Sequence, residues 1–488
     1  MAWDWYREAA AMSIDENRCP VDRGAIEPIA GSGAGKEIPG RTEKLGLAIA
    51  VETKRHGPLY VLEKLWREHG DVSQLHIGPK RMILLAHPEH ARRVNLEHAD
   101  NYTKGPSYDQ IRKYWVGGND GLVTSVGAEW RKQRQLLAPH FTRRAVIRDH
   151  VPVFSDDIAW FAERWARMAR VGASIEMPAE MAMLAGSILL KSLFSTTARD
   201  TIAELESAVE TLVQYSSGRH TDRFKLPQWL PSASREKYEA ARKRVDEFIL
   251  RLIVDRRAMP TDERPTDLLT HMIAGEDPDI ARDAADRRLR DQCVTMFIAG
   301  YETTAKALSF VWYLVAKYPE VAANLHAEVD ALPEDVEPGD LETAAPYSLA
   351  VVKESLRLYP TASIYVRDVV EDDFIDSHVI PAGGVVVLAP YLTHRHPEFW
   401  SDPLRFDPER WIGNAEKGRH PFAFHPFAGG PRVCIGKSFA YLESQAILVH
   451  LARRFEPVTP YGYEPKLRMH GVLEPGNGMP MFLRERNV

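Results

Sequence analysis

Apolar side chains recur at three- and four-residue spacing through residues 128–140, 150–168, 177–195, 198–216, 235–257 and 284–316, which predicts a mostly helical middle. The last stretch, from Arg290 to Pro319, is apolar nearly all round, so a helix of about 30 residues is expected to cross the centre of the molecule. Residues 57–70 have helical spacing and end on Gly70, a C-cap residue. Alternating segments 71–78 and 80–88 flank Gly78-Pro79 and predict a hairpin. Glycines and a proline between 105 and 121 predict a long loop. After residue 345 come a helix (346–359), short strands (362–370, 384–389), a Pro-rich loop and a final helix (437–454). The expected fold is therefore mainly α with small β-sheets at one edge. It forms a single domain over 57–488, behind an N-terminal arm over 1–56 whose residues 17–45 are rich in Gly, Pro and charge.

Composition narrows the class. The 488 residues carry 62 Lys+Arg against 68 Asp+Glu, a net charge of -6, which argues against a nucleic-acid binder. Only Cys19, Cys293 and Cys434 are cysteines, and no CxxC occurs, which excludes zinc-ribbon, thioredoxin-type and c-type haem motifs. An odd, low count suits a reducing compartment. The charged N-terminus has no signal-peptide core and no stretch reaches about 18 uninterrupted apolar residues, so a cytoplasmic protein without a membrane anchor is expected.

The densest chemistry lies in Phe427-Ala-Gly-Gly430-Pro-Arg432-Val-Cys434-Ile-Gly436. Glycines bracket the cysteine and a helix starts at Lys437. Close backbone amides and a helix N-terminus stabilise negative charge, so the sulfur is expected to ionise readily. Such a thiolate is either a nucleophile or a single ligand to one metal.

Phe427, Gly430, Arg432, Cys434 and Gly436 stand at the offsets of the haem-binding signature of the cytochrome P-450 superfamily, which this segment resembles. Other motifs of that family appear in order. Glu354-Ser-Leu-Arg357 resembles its E-x-x-R, and Pro408-Glu409-Arg410 the segment whose Arg completes a buried charge network. Trp130 and Arg134 resemble its W-x-x-x-R. The resemblance implies the P-450 fold, with a long oxygen-binding helix over haem b. Cys434 would be the axial ligand, and Trp130, Arg134, Arg367 and Arg432 would surround the propionates. Arg112 is a further candidate for that task.

Gly300 lies inside the long helix, where Gly costs roughly 1 kcal/mol relative to Ala. Thr303 follows, and a Thr hydroxyl can bond back and open a helix locally. A distorted groove for O2 and water is one reading, a small-residue helix crossing the other. Ala299 through Thr304 resembles the family's acid–alcohol motif, which makes Glu302 and Thr303 the proton-delivery pair of a monooxygenase. Peroxide-driven and rearranging relatives lack that pair; they and a non-catalytic haem binder are the alternatives. Ala299 stands where some fatty-acid hydroxylases carry a haem-esterifying Glu, so non-covalent haem is implied.

Only 54 residues follow Cys434, so electrons are expected from a separate ferredoxin or flavodoxin with its NAD(P)H reductase. By the family's layout that partner would dock near Arg131, Lys132 and Lys437. The layout puts Tyr108, Tyr114, Trp115, Phe297, Ile364, Tyr365, Val472 and Leu473 on the substrate wall. An apolar small molecule such as a fatty acid, terpenoid, steroid or other secondary metabolite is the expected guest, and a monomer the expected state.

Overall fold

The computed structural model describes residues 36–486 apart from 44–45, 79, 119, 198–201 and 222–231; Cys19 falls outside them. Its longer helices are α1 (Leu47–His56), α2 (Pro58–His69), α3 (Asp109–Trp115), α4 (Gly127–Leu137), α5 (Val151–Arg170), α6 (Met177–Phe194) and α7 (Ile202–Thr221). They continue with α8 (Ala233–Ala258), α9 (Leu268–Ala274), α10 (Arg282–Lys317), α11 (Pro319–Asp330), α12 (Pro346–Leu358) and α13 (Lys437–Arg454). Helix α2 shows why the sequence pattern was readable. Pro58 occupies the first turn, Leu59, Val61, Leu62 and Leu65 are buried, and Gly70 closes the helix at φ 83° with its amide on Trp66 O.

The main sheet has six strands: β1 (Gly40–Glu43), β2 (Val72–Ile77), β3 (Lys80–Leu85), β4 (Tyr102–Thr103), β6 (Tyr365–Val369) and β9 (Val385–Leu388). They lie side by side in the order β1-β2-β3-β9-β6-β4. A second sheet joins β5 (Ile175–Glu176), β13 (Pro480–Glu485) and β10 (Phe455–Val458). Two hairpins complete the β structure: β7 (Asp373–Ile375) with β8 (His378–Ile380), and β11 (Leu467–His470) with β12 (Val472–Pro475).

Three expectations change. Residues 40–56 are not arm: β1 pairs with β2 and α1 follows it, so the folded body begins before residue 57. The expected loop at 105–121 contains α3, one side of which is tied down by Tyr114 against Tyr215 and Tyr238. Helix α10 is continuous. Gly300 is where α6 crosses it, since a Cβ there would meet Leu189 Cδ2 at 2.8 Å, so the small-residue crossing explains the glycine. Helix α6 is long and apolar enough to cross a membrane, yet 78% of it is buried inside the protein. The core around α5, α6 and α10 is closed by Trp165 against Trp312 and Phe455.

The buried charge network forms as expected. Arg357 donates through Nε and Nη2 to both Glu354 oxygens at 2.8 Å, and both side chains have no exposed area. Arg410 Nε lies 3.4 Å from Glu354 Oε1. Trp411 Nε1 and the Asp407 amide also donate to Glu354, at 2.9 and 3.0 Å, two partners the sequence reading did not include.

Candidate functional site

The Cys434 loop is shaped by its glycines. Gly430 has φ +61°, and a Cβ on it would fall 1.7 Å from Asn95 O, so no other residue fits there. The Cys434 amide donates to Phe427 O at 2.9 Å, closing the loop, and α13 begins three residues on. The Phe427 ring packs edge-on against Tyr441 at 5.0 Å. Gly436 brings its amide to the sulfur, with Sγ 4.0 Å from where its Cβ would be. Cys434 keeps accessible area although protein surrounds it closely, so its sulfur can still be reached by a ligand.

Burial pushes the Cys434 thiol up, against the pull of the Gly436 amide, Arg134, Lys104 and Lys437. This corrects the expectation of ready ionisation. Local amides and cations do not outweigh desolvation, and the thiolate form needs a metal partner.

Four cations gather near the sulfur. Arg432 Nη1 donates to Ser125 O at 2.9 Å, and its guanidinium stacks 3.9 Å over the Trp130 ring. Arg134 Nη1 donates to Val433 O at 3.0 Å. Arg367, 3% exposed, donates to Tyr108 Oη at 3.3 Å. Lys104 Nζ donates to Val123 O at 2.7 Å and lies 5.0 Å from the Tyr108 ring centre. Among the described residues no carboxylate pairs with Lys104, Arg367 or Arg432. Burial and the neighbouring guanidinium groups push Lys104 well down and Arg432 to about 10. Mutually repelling buried cations call for an anion among them. A reachable sulfur ringed by such cations fits a macrocycle that carries both a metal and carboxylates.

Lys104 has no motif around it, and the sequence reading missed it. Strand β4 pairs with β6 through Tyr102↔Val369 and Thr103↔Asp368, so the next step brings Lys104 opposite Arg367. Asp368 points to the other face of the strand and holds the Gly105 amide at 2.9 Å, so it does not neutralise either cation. Arg112 does not join the group. Asp109 and Asp120 bind it at 2.5 and 2.6 Å, and a third donor goes to Thr124 O. Lys104→Met is therefore expected to speed haem loss to apomyoglobin about tenfold or more, since a charge-assisted bond contributes about 1.5–3 kcal/mol. Arg112→Met should leave that rate unchanged.

On α10, Thr303 Oγ1 donates to Ala299 O at 2.9 Å and Thr304 Oγ1 to Gly300 O at 3.1 Å. Glu302 is 7% exposed, and burial pushes its carboxyl up to about 8. A group held there is a neutral acid at pH 7 that can still release its proton. Several wall residues prove to be packing. Phe297 is fully buried and stacks on Tyr301, Leu473 has no exposed area, and Tyr365 Oη meets Asn95 and His425. Tyr108 sits among the cations, and Trp115 Nε1 donates to Ser216.

A family model described as Cytochrome P450 matches residues 39–480. Cyclooctatin synthase of Streptomyces melanosporofaciens is 32% identical over 425 residues, covering 86% of this chain and 88% of that protein. Cyclooctat-9-en-7-ol 5-monooxygenase of the same organism is 31% identical, with the same coverage. The crystal structure of the cytochrome P450DA haem domain is 25% identical and superposes with a TM-score of 0.81, over 93% of this chain and 98% of that one.

Proposed function

The chain belongs to the cytochrome P450 family and is a monooxygenase, and we propose that it inserts one oxygen atom from O2 into an apolar organic molecule, by hydroxylation or epoxidation, with electrons from a separate redox protein. The observation that carries this reading is the gathering of Lys104, Arg134, Arg367 and Arg432 around the Cys434 loop, with no carboxylate among the described residues on Lys104, Arg367 or Arg432. Haem would supply the oxygen-activating iron when bound, with a thiolate ligand tuning its reactivity.

The chain's own residues divide the remaining work. Cys434 would hold the iron through its sulfur, and Gly436 and Gly430 let the backbone close around it. Arg134, Arg367, Arg432 and Lys104 would offset the propionate charge, with Trp130 stacked against Arg432. Phe427 covers the loop. With Ala299 in place of an acid, the haem is held non-covalently. Glu302 stores a proton, and the Thr303 hydroxyl, anchored on Ala299 O, keeps its oxygen free to accept a hydrogen bond.

The guest is a fatty acid, terpenoid, steroid or similar secondary metabolite. Support comes from a relative whose name gives an unsaturated alcohol as its substrate. The electron donor is a small acidic ferredoxin or flavodoxin, supported by the exposed Arg131 and Lys132 on α4, whose other side carries Trp130 and Arg134. We place the enzyme in the cytoplasm as a monomer.

Thr303→Ala is the direct test of oxygen activation. The variant should keep its haem and consume NADPH while most reducing equivalents leave as hydrogen peroxide, measured against product. Full coupling in that variant would remove Thr303 from proton delivery and favour the peroxide-driven reading.

A further inference from the structure

Lys306 lies one turn beyond Glu302 on α10, so the two side chains share a face. Among the described residues no hydrogen bond or ion pair reaches the Glu302 carboxyl. Lys306 is engaged elsewhere. Its Nζ is 3.5 Å from Glu474 Oε2 on β12, and the two side chains are only 13% and 6% exposed. Glu474 is itself held, with Arg468 Nε 2.9 Å and His470 Nδ1 3.3 Å from Oε1. The β11–β12 hairpin is fixed in place. A Cβ on its turn residue Gly471, at φ +77°, would meet Val213 of α7 at 2.9 Å, and the Leu473 amide donates to Thr361 O.

We infer that the Lys306–Glu474 ion pair fixes a positive charge one helical turn from Glu302 and thereby sets how readily that acid gives up and regains its proton. Lys306 is thus a positioning residue for oxygen activation, an inference that rests on the reading of Glu302 as proton donor. The groups around it come from three elements. Glu302 is on α10 itself, Glu206 and Glu210 are on α7, and Glu474, Arg468 and His470 are on the hairpin. The three nearby carboxyls of Glu474, Glu210 and Glu206 oppose ionisation of Glu302, and Lys306 is the cation that favours it. Glu206 responds to the same cation, while burial holds it up at about 7.

The arrangement predicts shifts of opposite sign. Removing Lys306 leaves Glu302 facing carboxyls with no opposing cation, so ionisation becomes harder. Neutralising Glu474 removes an anion and frees Lys306 for Glu302, so ionisation becomes easier. A purely packing role produces no such sign reversal.

The test is an infrared pH titration of the carbon monoxide complex of the reduced holoenzyme. It follows the protonated-carboxyl band that disappears in Glu302→Gln. The wild-type midpoint should lie near 8. Lys306→Met should raise it by about one pH unit or more, and Glu474→Gln should lower it by about one, each unit being tenfold in the ionisation constant. Lys306→Arg should restore the wild-type midpoint. Shifts of the same sign, no shift, or no band lost in Glu302→Gln would overturn the inference. Coupling of Glu302→Gln to product, measured separately at pH 7, decides whether Glu302 delivers protons at all. Unimpaired coupling would dismiss that role while leaving the infrared shifts as the measure of Lys306.

Discussion

Cys434→Ala is expected to erase the far-red Soret band of the dithionite-reduced, carbon monoxide-bound protein and to reduce product formation to background. The haem itself should remain largely bound. Lys104, Arg134, Arg367 and Arg432 come from four separate segments, and any hold they take on the propionates would not pass through the sulfur. Sulfur ligation and propionate binding should therefore separate cleanly: Cys434→Ala loses the band and keeps the cofactor, whereas Lys104→Met keeps the band and loses cofactor faster. The difference spectrum with and without carbon monoxide checks the first, and wild-type protein is the reference. An unshifted wild-type band would mean that no thiolate binds the iron, and the chain would then be a haem binder without monooxygenase chemistry.

Arg357→Leu is expected to destabilise the protein by about 3–5 kcal/mol, the cost of removing one partner of a buried ion pair. Its guanidinium does more than face Glu354. Nη1 reaches His394 O and Pro403 O at 3.0 and 2.7 Å, and Nη2 reaches Arg405 O at 2.9 Å. Those carbonyls lie in the segment that leads to Pro408–Trp411, so one side chain fixes α12 and the loop at once. The denaturant midpoint and the yield of soluble protein measure the loss. Glu354→Leu combined with Arg357→Leu should recover part of it by removing the stranded carboxylate. The recovery should be incomplete, because the three carbonyls stay unpaired.

The elements that the sequence made legible are those whose pattern is local. Helices at 151–170, 177–194, 282–317 and 437–454 follow from apolar spacing over many turns, and their observed ends lie within two residues of expectation. Strand β1 was hidden because a four-residue edge strand has too few positions to show alternation, and its partner lies some 30 residues away in β2. Helix α3 was hidden by flanking glycines. What stabilises it is the edge-on packing of Tyr114 against Tyr215 and Tyr238, contacts made with α7 and α8.

The candidate site divides in the same way. Cys434, Gly430 and Gly436 could be read from the chain because a tight loop needs particular residues at fixed offsets. Glu302 and Thr303 could be picked out because residues 299–304 resemble a short contiguous family motif. Lys104 could not, since its meeting with Arg367 depends on strand pairing across more than 260 residues. Arg112 looked available in sequence, and only its enclosure by Asp109 and Asp120 showed that its charge was already taken. Tertiary structure also decided the acidity of both reactive groups. Amides and a helix N-terminus near Cys434 suggested an easy thiolate, and burial reversed the direction. Nothing local marked Glu302 as a neutral acid; its burial and the approach of the β11–β12 hairpin did. By itself the sequence determined the helical plan and the ligand loop, because both rest on short-range spacing, and the resemblance of its motifs to a known family implied the class of chemistry. The folded structure decided which charges meet and which protons are held, because desolvation and Coulomb interactions depend on distances that spacing along the chain does not encode.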